Sequence, residues 1–143
     1  MTVVIGCGNA LRGDDGAGVA VAARVRGVAC DEEPSRLIEA WEGADAAVLI
    51  DTVVSGAPPG TVHRFDASDE PIPARVLRSS THAIGLAETI ELARALGRLP
   101  KRVVVYVIEG VSFEAGAPLS PEVEAAVTRL VDTIEEETCT SAP

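Results

Sequence analysis

The chain has 143 residues, of which 47% are hydrophobic and only 3% aromatic, and its formal net charge is −10. This length fits one domain over residues 1–143, with a core of valine, leucine, isoleucine and alanine. The acidic excess argues against nucleic acid and anionic membranes as partners, because phosphate groups require clustered lysine and arginine. Since the sequence shows neither an export signal nor a membrane-spanning apolar run, we expect a cytoplasmic protein. We also expect a monomer.

Short apolar runs alternate along the chain with segments whose apolar residues recur at helical spacing. The predicted strands are Thr2–Ile5, Val28–Cys30, Ala46–Ile50, Thr61–Phe65 and Arg102–Ile108. The predicted helices are Ala17–Val25, Arg36–Glu42, about Ala83–Leu96, and Pro121–Glu137. This alternation predicts an α/β three-layer sandwich, a mostly parallel sheet of about five strands with helices on both faces. Thr61–Phe65 follows a proline-glycine turn, so we expect an edge or antiparallel strand there.

The last two predicted helices each have an apolar face. We expect the first of them to bury Leu86, Ile90, Ala93 and Leu96. The final helix should bury Val123, Val127, Leu130, Val131 and Ile134, with Ser120 as its N-cap and Pro121 at its first position.

The most informative segment is the loop after the first predicted strand. Residues 6–18 read Gly-Cys-Gly-Asn-Ala-Leu-Arg-Gly-Asp-Asp-Gly-Ala-Gly. Glycines let the backbone turn tightly and approach a ligand, and ligands of α/β proteins bind past the carboxyl ends of strands. Asp14 and Asp15 would repel phosphate there, so this loop favours a cation.

Nucleotide binding is the alternative interpretation of the same loop. A Gly-x-Gly-x-x-Gly motif requires glycine at position 11, where this chain has Leu11. A lone Gly-x-Gly is weak evidence for a dinucleotide site. Saturable binding in a dinucleotide titration would favour this alternative.

Two further positions turn the acidic loop into a candidate metal site. Asp51 follows the third predicted strand, and His82 stands at the start of the helix after the proline-rich loop. In a parallel sheet the carboxyl ends of neighbouring strands share one edge, where Asp15 and Asp51 can converge. Near a helix N-terminus the imidazole of His82 is favoured in its neutral, metal-binding form. Two carboxylates and one imidazole suit a borderline divalent ion with open positions for water or substrate.

Each of these residues also has a structural interpretation. Asp14 or Asp15 can cap the helix that follows, and Asp51 can accept hydrogen bonds from a neighbouring loop. His82 can be a structural histidine. The other histidine, His63, is expected to be an exposed side chain on an edge strand, and Cys7 a small buried apolar residue. No nucleophile and base are paired convincingly in this sequence.

At these residues the sequence resembles the endopeptidases that mature nickel–iron hydrogenases. Their opening pattern, Gly-x-Gly-Asn-x-Leu-x-x-Asp-Asp/Glu-x-x-Gly, matches residues 6–18. An aspartate that closes an apolar strand matches Asp51, and the Pro-Gly-Thr turn after it matches 59–61. The Ser-x-His-x-x-Gly-Leu motif matches residues 80–86, and the Leu-Ser-Pro start of the last helix matches 119–121. The resemblance thus covers nearly the whole chain.

The resemblance implies an endopeptidase that removes a short C-terminal peptide from a hydrogenase large-subunit precursor after nickel insertion. Asp15, Asp51 and His82 are then both the metal-contacting and the catalytic residues, and Asp14 orients the loop or caps the helix. Nickel is supplied by the substrate, although other divalent ions can occupy the site, and no other cofactor is implied. Such enzymes are often classed as aspartic proteases, but nothing here requires two carboxylates that share a proton.

One segment departs from the family pattern. Where family members have a glycine-rich turn after the second strand, this chain reads Cys-Asp-Glu-Glu-Pro-Ser over residues 30–35. We expect that wall of the cleft to be differently shaped and more acidic. The alternative from another functional class is a non-catalytic module that binds nickel or the precursor without cutting it.

Overall fold

The computed structural model describes residues 1–31, 33–73 and 85–140. Its central sheet consists of β1 (Thr2–Cys7), β2 (Val28–Cys30), β3 (Ala46–Val53), β4 (Val62–Asp66) and β5 (Arg102–Glu109). The α-helices of these described residues are α1 (Ala17–Arg24), α2 (Pro34–Trp41), α3 (Leu86–Ala95) and α4 (Pro121–Thr140). The strands lie in the order β2-β1-β3-β5-β4, and only β4 is antiparallel to its neighbour. The predicted α/β class and the antiparallel edge strand are therefore confirmed.

The helices cover both faces of the sheet, as predicted. α2 and α3 pack on one face, where Leu37, Trp41 and Ile90 contact the side chains of β1, β3 and β5. α1 and α4 pack on the other face, where Val21 and Val127 contact the alternate residues of the same strands. A sheet covered on both faces requires nearly continuous apolar strands, which accounts for the β-branched runs of this sequence.

The strands extend further than the apolar runs predict. β3 continues to Val53 because Thr52 and Val53 still pair with Ile108 and Glu109 of β5. The prediction that Asp51 follows the strand was therefore wrong, since Asp51 lies inside β3. Its pairing is nevertheless one-sided, because the ladder between β1 and β3 ends at Ile50. Asp51 is the first residue of β3 beyond its paired ladder with β1.

The predicted apolar faces are largely confirmed. In α3, Leu86, Ile90 and Ala93 are buried, whereas Leu96 is 57% exposed, contrary to the prediction. Leu96 is the C-cap residue that follows the last helical residue, Ala95. In α4 the predicted stripe is buried, with Val131 only partly so. In the described part of the chain, no helix combines the length and the apolarity needed to cross a membrane.

Candidate active site

The glycine-rich loop folds tightly against itself and against the sheet. Gly8 has a φ of +132°, and a Cβ there would lie 2.1 Å from the carbonyl oxygen of Asp15. A Cβ on Gly18, in the first turn of α1, would lie 2.5 Å from the carbonyl oxygen of Ile50 and 2.7 Å from that of Cys7. Both glycines are thus required for close backbone packing. This packing accounts for their presence without a bound phosphate.

The acidic pair lies in a short 3-10 turn, Gly13–Gly16, between β1 and α1. Gly16 is the N-cap of α1, and no side chain caps that helix. The interpretation of Asp14 or Asp15 as a helix cap is therefore wrong. Both side chains are fully buried, and they have different surroundings.

Asp15 faces a cavity at the carboxyl edge of the sheet. One oxygen of its carboxylate, Oδ2, accepts a hydrogen bond of 3.1 Å from the backbone N–H of Asn9. The cavity has a volume of about 770 Å³ and is lined by the loop at Gly8–Ala10, by β2, and by Arg36 and Ala40 of α2. Asp15 is therefore a buried carboxylate in the wall of this cavity.

Asp14 instead joins segments of the protein to one another. Its carboxylate accepts hydrogen bonds from the backbone N–H groups of Val111, Ser112 and Ser120, and from the hydroxyl of Ser120, at 2.7–2.9 Å. Burial alone raises the pKa of Asp14, but the bonds from Ser120, Ser112 and Val111 together hold that pKa below its ordinary value of 3.8. Ser120 is thus a donor to Asp14, although the sequence predicts it as an N-cap. Asp14 orients the loop, one of the two roles that the resemblance implies for it.

Asp51 lies on the face of the sheet that α2 and α3 cover, the same face as Leu49 and Val53. Its side chain is fully buried, and Oδ1 accepts a hydrogen bond of 2.8 Å from the backbone N–H of Thr52. The hydroxyl of Thr52 donates a hydrogen bond of 2.9 Å to the carbonyl oxygen of Asp14. Asp14 and Thr52, the sequence neighbours of Asp15 and Asp51, are therefore hydrogen-bonded to each other. Both aspartates thus lie at the same edge of the sheet.

The third predicted ligand, His82, lies outside the described residues. Within residues 1–31, 33–73 and 85–140, no three histidine, cysteine, aspartate or glutamate side chains are grouped so that they can hold a metal ion. The set of Asp15, Asp51 and His82 therefore stays a prediction. Its two described members are carboxylates, hard oxygen donors that need a nitrogen donor such as His82 to suit a borderline ion.

A second polar cluster, not predicted from the sequence, lies at the end of β5. Glu109 is buried and accepts hydrogen bonds from the backbone N–H and the hydroxyl of Ser55. The Nε2 atom of His63 lies 3.3 Å from Oε1 of Glu109. His63 is therefore half-buried and paired with Glu109, so the expectation of an exposed histidine was wrong. The signal in the sequence was an acid directly after the apolar run that ends at Ile108.

Cys7 is fully buried in the core between the sheet and the α2–α3 layer, as predicted for a small apolar residue. Cys30, its register partner on β2, is also buried and lines the cavity beside Asp15.

The fold and the buried acids define an α/β protein with an acidic site at the carboxyl edge of a parallel sheet. The family model described as hydrogenase maturation protease matches residues 32–137, well over half of the chain. The chain therefore belongs to the hydrogenase maturation protease family. The matched region includes Asp51 and follows Asp15, so the acidic loop is outside the region that this model matches.

Individual relatives agree with this assignment. The chain is 27% identical over 141 residues to the hydrogenase expression/formation protein HupD of Thiocapsa roseopersicina, covering 91% of this chain and 64% of HupD. The chain thus spans less than two thirds of that relative's length. It is also similar to the [NiFe] hydrogenase maturation protease HybD of Thermococcus kodakarensis, with 27% identity, a TM-score of 0.75, and coverage of 94% of this chain and 97% of HybD. The fold is shared with the hydrogenase maturating endopeptidase HybD of E. coli, at 24% identity and a TM-score of 0.80, covering 99% and 93% of the two chains.

Proposed function

We propose that this chain is an endopeptidase that removes the C-terminal peptide of a hydrogenase large-subunit precursor, and that it uses the nickel of that precursor as the recognition element. The family supports the reaction, and the names of the relatives support the class of substrate. The observation that carries the proposal is the placement of two buried carboxylates, Asp15 and Asp51, on bonded segments at one edge of the sheet.

In this proposal the metal belongs to the substrate. Buried carboxylates are costly unless hydrogen-bonded or paired with a positive charge, so an arriving cation is stabilised at such a site. Asp15 and Asp51, together with His82, supply oxygen and nitrogen donors to an ion that the precursor already holds. A precursor without nickel lacks this contact and is not held in the site.

Holding the precursor through its metal fixes the neighbouring peptide bond beside the two carboxylates. Such positioning converts an encounter between enzyme and substrate into a reaction within one complex, which lowers the barrier by several kcal/mol. One carboxylate accepts the proton of the attacking water, and the released amine takes up a proton. The products are the shortened large subunit and a free C-terminal peptide.

The direct test is incubation of the purified protein with a nickel-loaded large-subunit precursor, followed by mass spectrometry. The expected result is loss of one C-terminal peptide and no cleavage of the precursor prepared without nickel. A stable complex with an intact precursor contradicts the proposal and identifies a non-catalytic binding module instead. Cleavage of both precursors equally contradicts the role of nickel but keeps the peptidase.

A further inference from the structure

The cavity beside Asp15 continues as a groove along one edge of the sheet. β2 is the edge strand, and β1 is its sheet neighbour in the described chain. Val19 of α1 lines one side of the cavity, Arg36 and Ala40 of α2 line the other, and Val28–Cys30 lie between them. The side chains of Val28 and Ala29 are exposed. The groove therefore has two helical walls, a strand edge at its base, and Asp15 at one end.

The hydrogen-bonding groups of β2 point to alternate sides. The carbonyl oxygen of Cys30 accepts a hydrogen bond of 3.2 Å from the backbone N–H of Gly8, so Cys30 points toward β1. Successive residues of a strand alternate in this direction. The N–H and C=O groups of Ala29 consequently point to the outer edge, into the groove. An edge with such groups is a template for a further strand.

We propose that the C-terminal peptide of the precursor binds as an added strand along the outer edge of β2, an inference that rests on the proposed function. An extended peptide gains affinity from main-chain hydrogen bonds in this mode, largely independently of its side chains. Since the scissile bond lies near Asp15, at the carboxyl end of β2, the peptide beyond that bond runs antiparallel to β2. Ala29 donates one hydrogen bond to it and accepts another.

The charges around the groove favour the same occupant. The chain carries a net charge of −10, yet two arginines, Arg12 and Arg36, line this cavity. Arg36 is paired with Asp31, which also lines the cavity. The segment released by cleavage ends in a carboxylate, and a guanidinium is a suitable partner for that group. The acidic wall expected at residues 30–35 is thus followed directly by an arginine, Arg36, which pairs with Asp31.

The test removes the outward N–H of Ala29 without disturbing the ladder to β1. Proline is tolerated on edge strands where the missing N–H faces outward, so Ala29→Pro is compatible with the fold. Ala29→Val keeps the N–H and enlarges the side chain, so it measures the effect of side-chain size in the groove by itself. Trp41 is the only tryptophan of the chain, and a fluorescence spectrum equal to that of the wild type verifies that each variant is folded.

With nickel-loaded precursor, we expect Ala29→Pro to raise KM about tenfold, which corresponds to the loss of one hydrogen bond and its desolvated partner. We expect kcat of Ala29→Pro to change less than twofold, and we expect Ala29→Val, which keeps the N–H, to raise KM less than Ala29→Pro does. If the KM of Ala29→Pro equals the wild-type value, the proposal of added-strand binding is wrong, whereas the proposed peptidase function is unaffected.

A second measurement separates this proposal from the proposed function. A synthetic peptide with the last residues of the precursor is added to isotope-labelled protein, and amide exchange is followed by NMR. Added-strand binding slows exchange of the Ala29 amide and leaves the amides of β4, at the opposite edge, unchanged. An unchanged Ala29 amide at saturating peptide overturns the inference, whether or not the protein cleaves the precursor.

Discussion

The carboxylate of Asp14 accepts hydrogen bonds from both the backbone N–H and the hydroxyl of Ser120, which is 106 positions further along the chain. The same carboxylate accepts from Val111 and Ser112, and the Asp14 carbonyl oxygen accepts from Thr52. One residue thus connects the loop after β1 with β3 and with the segment between β5 and α4. Of the acidic pair, Asp14 therefore has a structural role, whereas Asp15 faces the cavity.

Replacing Asp14 should lower stability, whereas replacing Asp15 should not. In Asp14→Asn an amide N–H₂ faces buried donors, so we expect a loss of about 2–4 kcal/mol. For a domain of this size, the melting temperature then falls by roughly 6–12 °C. Thermal unfolding followed by Trp41 fluorescence measures the change, with Ser120→Ala as a milder control. Equal melting temperatures for Asp14→Asn and the wild type would contradict the structural role.

Cleavage should depend on the three predicted ligands without comparable effects on stability. We expect Asp15→Asn, Asp51→Asn and His82→Ala each to reduce cleavage of nickel-loaded precursor by at least about 100-fold, the scale of a lost acid–base group. The melting temperatures of all three variants should stay within a few degrees of the wild type. In the two aspartate variants, asparagine retains the carbonyl acceptor. Full activity in any one variant removes that residue from the ligand set.

The Asp14→Asn variant distinguishes the role of Asp14 from that of Asp15 in the same cleavage assay. Measured well below its melting temperature, this variant should retain more activity than Asp15→Asn. An activity loss equal to that of Asp15→Asn, in folded protein, would show that the ligand was assigned to the wrong acid.

The elements of this fold were predictable because their signals are local. The alternation of apolar runs and helical stripes identified every strand and α-helix that the structure describes, and β2 had the predicted bounds Val28–Cys30. Strand ends were less predictable. Thr52 and Val53 remain in β3 because β5 pairs with them, and that pairing joins residues more than 50 positions apart.

The roles of the polar residues depended on partners distant in sequence. Asp14 was predicted as an orienting neighbour of Asp15, but its donors at residues 111–120 have no spacing that a sequence pattern detects. His63 was misassigned for the same reason, since Glu109 is 46 positions away. The placement of Asp15 and Asp51 at one sheet edge was predictable because it follows from parallel topology.

The buried Glu109 should stabilise the turn that follows β3. Glu109→Ala removes the acceptor of two hydrogen bonds from Ser55 and the partner of His63, so we expect a loss of about 1–3 kcal/mol. Urea unfolding monitored by fluorescence gives the free energy. His63→Ala should cost less, since the bonds from Ser55 remain. A Glu109→Ala variant as stable as the wild type would mean that solvent replaces these contacts fully.

The only tyrosine of the chain, Tyr106, should ionise at unusually high pH. Burial raises its pKa above the ordinary value of 10.0, and the hydrogen bond of 2.6 Å that its hydroxyl donates to Glu137 raises it further, while Arg64 opposes the shift. Because the folded state holds this proton more tightly than the unfolded state, the stabilising effect is complete below pH 10 and is lost as pH rises through the folded pKa. Tyrosinate absorbance reports on this residue alone. We expect a midpoint above 10 in the folded protein and near 10 in urea, and identical midpoints would contradict the buried hydrogen bond.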